Sequence, residues 1–148
     1  MKKNDAVPPQ LMLENQLCFP LYSATNAVIR AYRPLLEVLG LTYLQYIVLM
    51  VFWQESSLNV KELGQRLRLD SGTLTPLLKR LESKGLVERK RSELDERVRI
   101  ITITRQGMEL QDRARHIPKE LACAVALSQS QRGELKALCE QILVSLNE

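Results

Sequence analysis

A chain of 148 residues, 45% hydrophobic, is long enough for one compact domain with its own core and too short for two large ones. No apolar run approaches the roughly 18 residues that a bilayer-spanning helix needs, and Met1 to Pro9 contains no apolar segment of the kind found in a secretory signal. A soluble, cytoplasmic protein with no membrane partner is expected. The three cysteines are odd in number and scattered, which does not suit a secreted disulfide framework and points to thiols that are reduced at rest. With one histidine, His116, and no CxxC pair, a zinc site lacks its ligands, so neither a metal nor another cofactor is expected.

After Pro8 and Pro9, the residues Leu17, Cys18, Leu21, Thr25, Val28, Ile29, Tyr32 and Leu36 recur at close to helical spacing and predict a first helix ending before Gly40. Pro20 lacks an amide hydrogen and is tolerated in an opening turn far better than inside a helix, so the helix begins only a few residues earlier and Cys18 falls in its first turn. Unsatisfied amides and the positive end of the helix dipole can stabilise a thiolate there. No lysine, arginine or histidine stands within four residues of Cys18, and a small apolar core residue is the competing reading of the same position. Leu41 to Trp53 is apolar nearly all round and predicts a buried second helix capped by Thr42. Asn59 to Leu67 follows as an amphipathic helix.

A short joint, Arg68 to Gly72, leads into a helix in which Leu74, Leu77, Leu78 and Leu81 fall on one side. The opposite side carries Pro76, Lys79 and Ser83, flanked by Thr75 and Arg80, a small, polar and basic face that could enter a DNA major groove. Gly85 breaks the helix, and two strand-like runs, Leu86 to Arg91 and Val98 to Thr104, enclose a charged loop. Two helices across a brief turn followed by a two-stranded ribbon give a winged helix-turn-helix. From Lys79 to Arg105 there are nine basic and five acidic residues, a net +4, which equals the charge of the whole chain. Such a footprint suits phosphate, and charge alone suits a solvated basic surface equally well.

Thr104 is expected to cap another helix, with Gly107 in its first turn, running to about His116, where Ile117-Pro118 breaks or kinks it. Leu121 to Leu127 resumes a helical pattern, Ser128 to Ser130 supplies a cap, and Leu135, Leu138, Cys139, Ile142, Leu143 and Leu146 form a final stripe. The first and last helices carry more apolar surface than a small winged domain would cover, which suggests a dimer interface, with packing inside one chain as the alternative. The expected fold is mainly α with a small β wing. Residues 1–148 form a single domain, with the winged part at about 41–104 between helical dimerisation segments at about 10–40 and 105–148.

Leu69 to Thr104, with TRQG after it, resembles the MarR family of dimeric winged-helix regulators in its wing DxR and its helix start. ENQLCFPLY at Glu14 to Tyr22, the tyrosines at 32 and 43, and LDSGTLTP resemble more narrowly the organic hydroperoxide resistance repressors of that family, in their two-cysteine form. The resemblance implies that Cys18 senses organic hydroperoxide. It also implies that Tyr32 and Tyr43 donate to its sulfur across the dimer, in a pocket with Phe19 and Tyr22, and that the partner subunit's Cys123 resolves the oxidised thiol as a disulfide. Core packing is the bland alternative for the tyrosines, whereas Cys139, within the C-terminal apolar stripe, reads as packing with a substitute resolving thiol as its alternative. Pro20, two positions after Cys18, departs modestly from the common pattern.

For DNA, the same resemblance makes Arg97 the wing arginine entering a minor groove, with Asp95 orienting it. Ser71, Thr73, Thr75, Lys79 and Arg80 become the recognition-helix contacts, with Arg89 and Arg91 supporting from the wing. A homodimer would set two such helices about 34 Å apart on a pseudo-palindromic operator of double-stranded DNA and would act as a repressor, not an enzyme. Two alternatives stand beside it: a regulator answering a phenolic ligand without covalent chemistry, and a thiol peroxidase using the same cysteines.

Overall fold

Each helix of the winged half begins at a cap that the sequence supplies. At Thr42 the hydroxyl oxygen accepts the Gln45 amide at 3.3 Å while the Gln45 side chain accepts the Thr42 amide at 3.1 Å, a reciprocal box that satisfies two otherwise orphaned donors. Asn59 and Glu62 form the same box one helix later. Asp70, Thr104 and Ser128 cap the helices that follow them. A computed structural model describes residues 7–147; residues 1–6, on which part of the expectation about a leader rests, lie outside the described residues.

Two short 3₁₀ turns precede α1 (Cys18–Glu37), which is followed by α2 (Tyr43–Gln54), β1 (Ser57–Asn59), α3 (Val60–Leu67) and α4 (Ser71–Ser83). Then come β2 (Val87–Arg91), β3 (Arg99–Ile103), α5 (Arg105–Ala114), α6 (Ile117–Val125) and α7 (Gln129–Ser145). The wing is a two-stranded ribbon as expected, with Val87 opposite Ile103 and Arg91 opposite Arg99. A third strand joins it: β1 pairs antiparallel with the other edge of β3, giving the order β1-β3-β2. The helix is interrupted as expected, but two residues before Ile117-Pro118. The chain turns at Arg115 and His116, and α6 starts at Ile117 with Pro118 in its first turn, where a missing amide hydrogen leaves no bond unmade.

The core forms where α2 meets α4 and the sheet. Val48, Leu49 and Phe52 of α2, all four leucines of α4, and Ile101 of β3 are buried together. Two side chains tie the ends of this unit. Lys84, at the end of α4, donates to the Gly40 carbonyl at 2.5 Å and to the buried Gln45 side chain at 2.9 Å, and Trp53 of α2 donates to the Gly107 carbonyl at 3.0 Å. By contrast α1 buries only Leu36 and α7 buries nothing, leaving Leu17, Phe19, Leu21, Tyr22, Leu135 and Leu138 exposed. No helix among the described residues is long and apolar enough to cross a membrane.

Candidate nucleic-acid interface and thiol site

The α3–α4 pair presents the helix with the buried leucines, and its outer face carries the polar set. Ser71, Lys79 and Arg80 are exposed and Thr75 is half-buried. Thr73 has a local duty: its amide donates to Asp70 Oδ1 at 2.8 Å and its hydroxyl to Oδ2 at 3.2 Å. Those two bonds hold the Asp70 carboxyl below the usual carboxylate range. The Thr73 hydroxyl proton is therefore committed, and what it can offer a ligand is its oxygen.

In the wing, the Ser92 amide donates to the Val98 carbonyl at 2.9 Å, closing the loop that carries Asp95 and Arg97. Asp95 accepts the Arg97 amide at 3.0 Å and the guanidinium through both carboxylate oxygens at 3.2 and 3.3 Å. Those bonds lower the Asp95 pKa and fix a guanidinium that is otherwise 90% exposed. Arg89 turns the other way, onto Glu82 at 2.8 Å, and ties β2 to α4. Arg91 is exposed and forms no ion pair among the described residues. Between α3, α4 and the wing lies a groove of about 1170 Å³, bordered by Ser71, Thr75, Arg89, Arg97, Arg99 and, from the end of α7, Asn147. Arg99 was not among the residues singled out from the sequence, although its β3 position directly after the wing loop was the available signal.

Cys18 is the first residue of α1 and is exposed, as are Phe19 and Tyr22. Tyr32 and Tyr43 pack with ring centroids 5.0 Å apart, and Tyr46, which sequence reasoning passed over, joins them 5.8 Å from Tyr32. Its spacing of three residues from Tyr43 on the same helix was the clue. Tyr32 lies fourteen residues beyond Cys18 on one continuous helix, about 21 Å along the axis. One chain therefore does not bring the thiol to the Tyr32–Tyr43 pair. Cys123 is an exposed free thiol on α6, which packs on α1, and Cys139 on α7 is half-buried.

Burial, with smaller contributions from Tyr43 and Tyr46, pushes the Tyr32 phenol up to about 12, so its hydroxyl remains a proton donor throughout the neutral range. The unfolded chain would release that proton near 10.0. Its stabilising contribution is thus complete below that pH and is lost as pH rises toward about 12. Thermal unfolding followed from neutral pH upward is expected to show a midpoint falling across this window, and Tyr32→Phe should flatten part of the fall.

Residues 30–114 match the family model described as transcriptional regulator SarA/Rot. The organic hydroperoxide resistance transcriptional regulator of Bacillus subtilis is 43% identical over 138 residues, spanning 93% of this chain and 94% of that protein. Among solved structures, reduced AbfR bound to DNA aligns with a TM-score of 0.78 at 36% identity, covering 93% of this chain and 94% of that one. Disulfide-formed AbfR aligns with a TM-score of 0.61 at 35% identity, covering 93% and 92%; AbfR is a protein of Staphylococcus epidermidis.

Proposed function

The chain belongs to the MarR family of winged-helix transcriptional regulators, and from that premise we propose that it is a homodimeric repressor that releases a pseudo-palindromic operator when organic hydroperoxide oxidises Cys18. The observation that carries this reading is the placement of Cys18. It is an exposed thiol at the head of a helix whose apolar face is uncovered, about 21 Å from its own chain's tyrosine pair. A second copy laid on the α1 and α7 faces covers that surface and supplies phenolic donors to the sulfur, in a pocket closed by Phe19 and Tyr22.

The Cys18 thiolate attacks the outer oxygen of the hydroperoxide, the O–O bond breaks, and the alcohol leaves with a proton while the sulfur becomes a sulfenic acid. The thiol of the partner subunit's Cys123 then displaces water and forms an intersubunit disulfide. Bonded sulfurs lie about 2 Å apart, so α1 and α6 of opposite subunits must be drawn together, and the winged units attached to them shift out of register with successive grooves. AbfR offers a parallel: the two AbfR structures share one protein but align with this chain at 0.78 in the reduced, DNA-bound form and at 0.61 in the disulfide form.

On DNA, Arg97 enters the minor groove, braced by Asp95, while Ser71, Thr75, Lys79 and Arg80 meet phosphates and base edges in the major groove, with Arg91 on the backbone. The test is fluorescence anisotropy with labelled operator DNA across a salt series. For a dimer neutralising about ten phosphates, log affinity should fall with log salt at a slope of about −9. Arg97→Ala should bind about tenfold more weakly, near the size of one well-placed contact. Affinity that ignores salt would end the DNA reading.

A further inference from the structure

We propose that Arg68 is a DNA-phosphate contact that the chain holds in place with a left-handed backbone; this rests on the DNA-binding reading above and deepens it. Arg68 closes α3 at φ 53° and ψ 41°, a conformation that glycine adopts freely and that crowds any residue with a Cβ. Glycine takes such turns at Gly40 and Gly85, and among the described residues Ala126 and Asn147 share the left-handed backbone with Arg68, which alone of the three carries a charge. The helix end itself needs only the backbone: the Leu69 amide bonds the Gly64 carbonyl at 3.0 Å, and the Arg68 amide bonds the Gln65 carbonyl. Nothing in that closure calls for a long cationic side chain.

The side chain is not spent on packing or pairing either. Arg68 is exposed and forms no ion pair among the described residues. Asp70, two residues on, has its carboxylate taken by Thr73. Arg68 does border the groove between α3, α4 and the wing. It lines that groove together with Lys61 of α3, Ser71 and Thr75 of α4, and Arg97 and Arg99 of the wing. Five cations, Lys61, Arg68, Arg89, Arg97 and Arg99, line the groove with one carboxylate, Asp70, over an apolar base, a positive balance that suits phosphate, and an unpaired arginine beside the start of α4 meets the phosphates flanking its entry. A backbone outlier retained at such a point is the kind of local cost that a site sustains for function.

The experiment compares full-length wild type, Arg68→Gly and Arg68→Ala in thermal unfolding and in anisotropy titrations with a labelled random-sequence DNA duplex, since phosphate contacts need no particular operator. Arg68→Gly should unfold at a higher temperature yet bind about three- to tenfold more weakly. Its salt slope should be shallower by about two, one contact per subunit of a dimer. Arg68→Ala should lose the same affinity without the gain in stability. Wild type that shows no salt-dependent binding would overturn the DNA reading and this assignment together. Wild type that binds while Arg68→Gly matches it in affinity and slope would overturn the assignment alone, as would Arg68→Ala binding like wild type.

Discussion

In Cys18→Ser, cumene hydroperoxide is expected to leave operator affinity within about twofold of the untreated value, while wild type loses about 5- to 150-fold, the usual range for coupling between two sites. The substitution removes one sulfur from an exposed position at the first turn of α1, so neither the core nor the groove between α3, α4 and the wing is disturbed and the untreated affinity should match wild type. Cys123→Ser separates sensing from resolution. It should form no covalent dimer under non-reducing conditions, because the Cys18 sulfenic acid then lacks its resolving thiol. Were the chain a regulator of non-covalent phenolic ligands, Cys18→Ser would respond as wild type does.

Gly107→Ala is expected to destabilise the fold by about 3 kcal/mol, among the larger effects of any single methyl group. A Cβ at Gly107 would come within 2.3 Å of the Leu86 carbonyl oxygen and 2.7 Å of Ile103 Cγ1. The carbonyl cannot retreat cheaply, since it accepts the Thr104 amide at 3.0 Å. Thr104 is itself pinned: its oxygen accepts the Gly107 amide at 3.1 Å while its hydroxyl donates to the Gly85 carbonyl at 2.6 Å. The new methyl therefore pushes α5 away from the wing and loosens the Trp53 bond to Gly107 as well. The control is Gly133→Ala, where a Cβ meets nothing within 4 Å inside α7. There the same change should stabilise by about 0.5–1 kcal/mol by reducing the freedom of the unfolded chain. Urea unfolding of both variants checks the opposite signs.

What could be read from the sequence was local. The α4 leucines announce a buried face, Pro20 dates the start of α1 and so places Cys18, and Thr42 and Thr104 mark their helices by chemistry that acts over three or four residues. What escaped depends on partners distant in the chain. β1 is three residues long, too short to alternate legibly, and exists because Ser57 meets Thr102 across the sheet. Pro118 read as a break because a proline in an opening turn and one that ends a helix look alike until the neighbouring backbone is seen. Among the wing arginines, composition could not distinguish Arg89, which serves Glu82, from Arg97, which is held outward by Asp95. Arg68 looked like a joint because its left-handed backbone leaves no trace in sequence.

On the proposed reading the fold separates two tasks along the chain. A buried unit built on α2, α4 and the sheet carries the cationic groove, and helices α1, α6 and α7, toward the two ends, carry the thiols. Lys84, bonded to Gly40 and Gln45, fastens the end of α4 to the turn between α1 and α2, so on the proposed mechanism a movement of α1 would reach α4 through bonded atoms rather than through solvent. The direct measurement is a titration of operator-bound wild type with sub-stoichiometric organic hydroperoxide, in which the fraction of Cys18 oxidised is read by mass spectrometry and DNA occupancy by anisotropy in the same samples. Occupancy falling in step with Cys18 oxidation is the predicted result; occupancy that stays constant while the Cys18 thiol is consumed would contradict it.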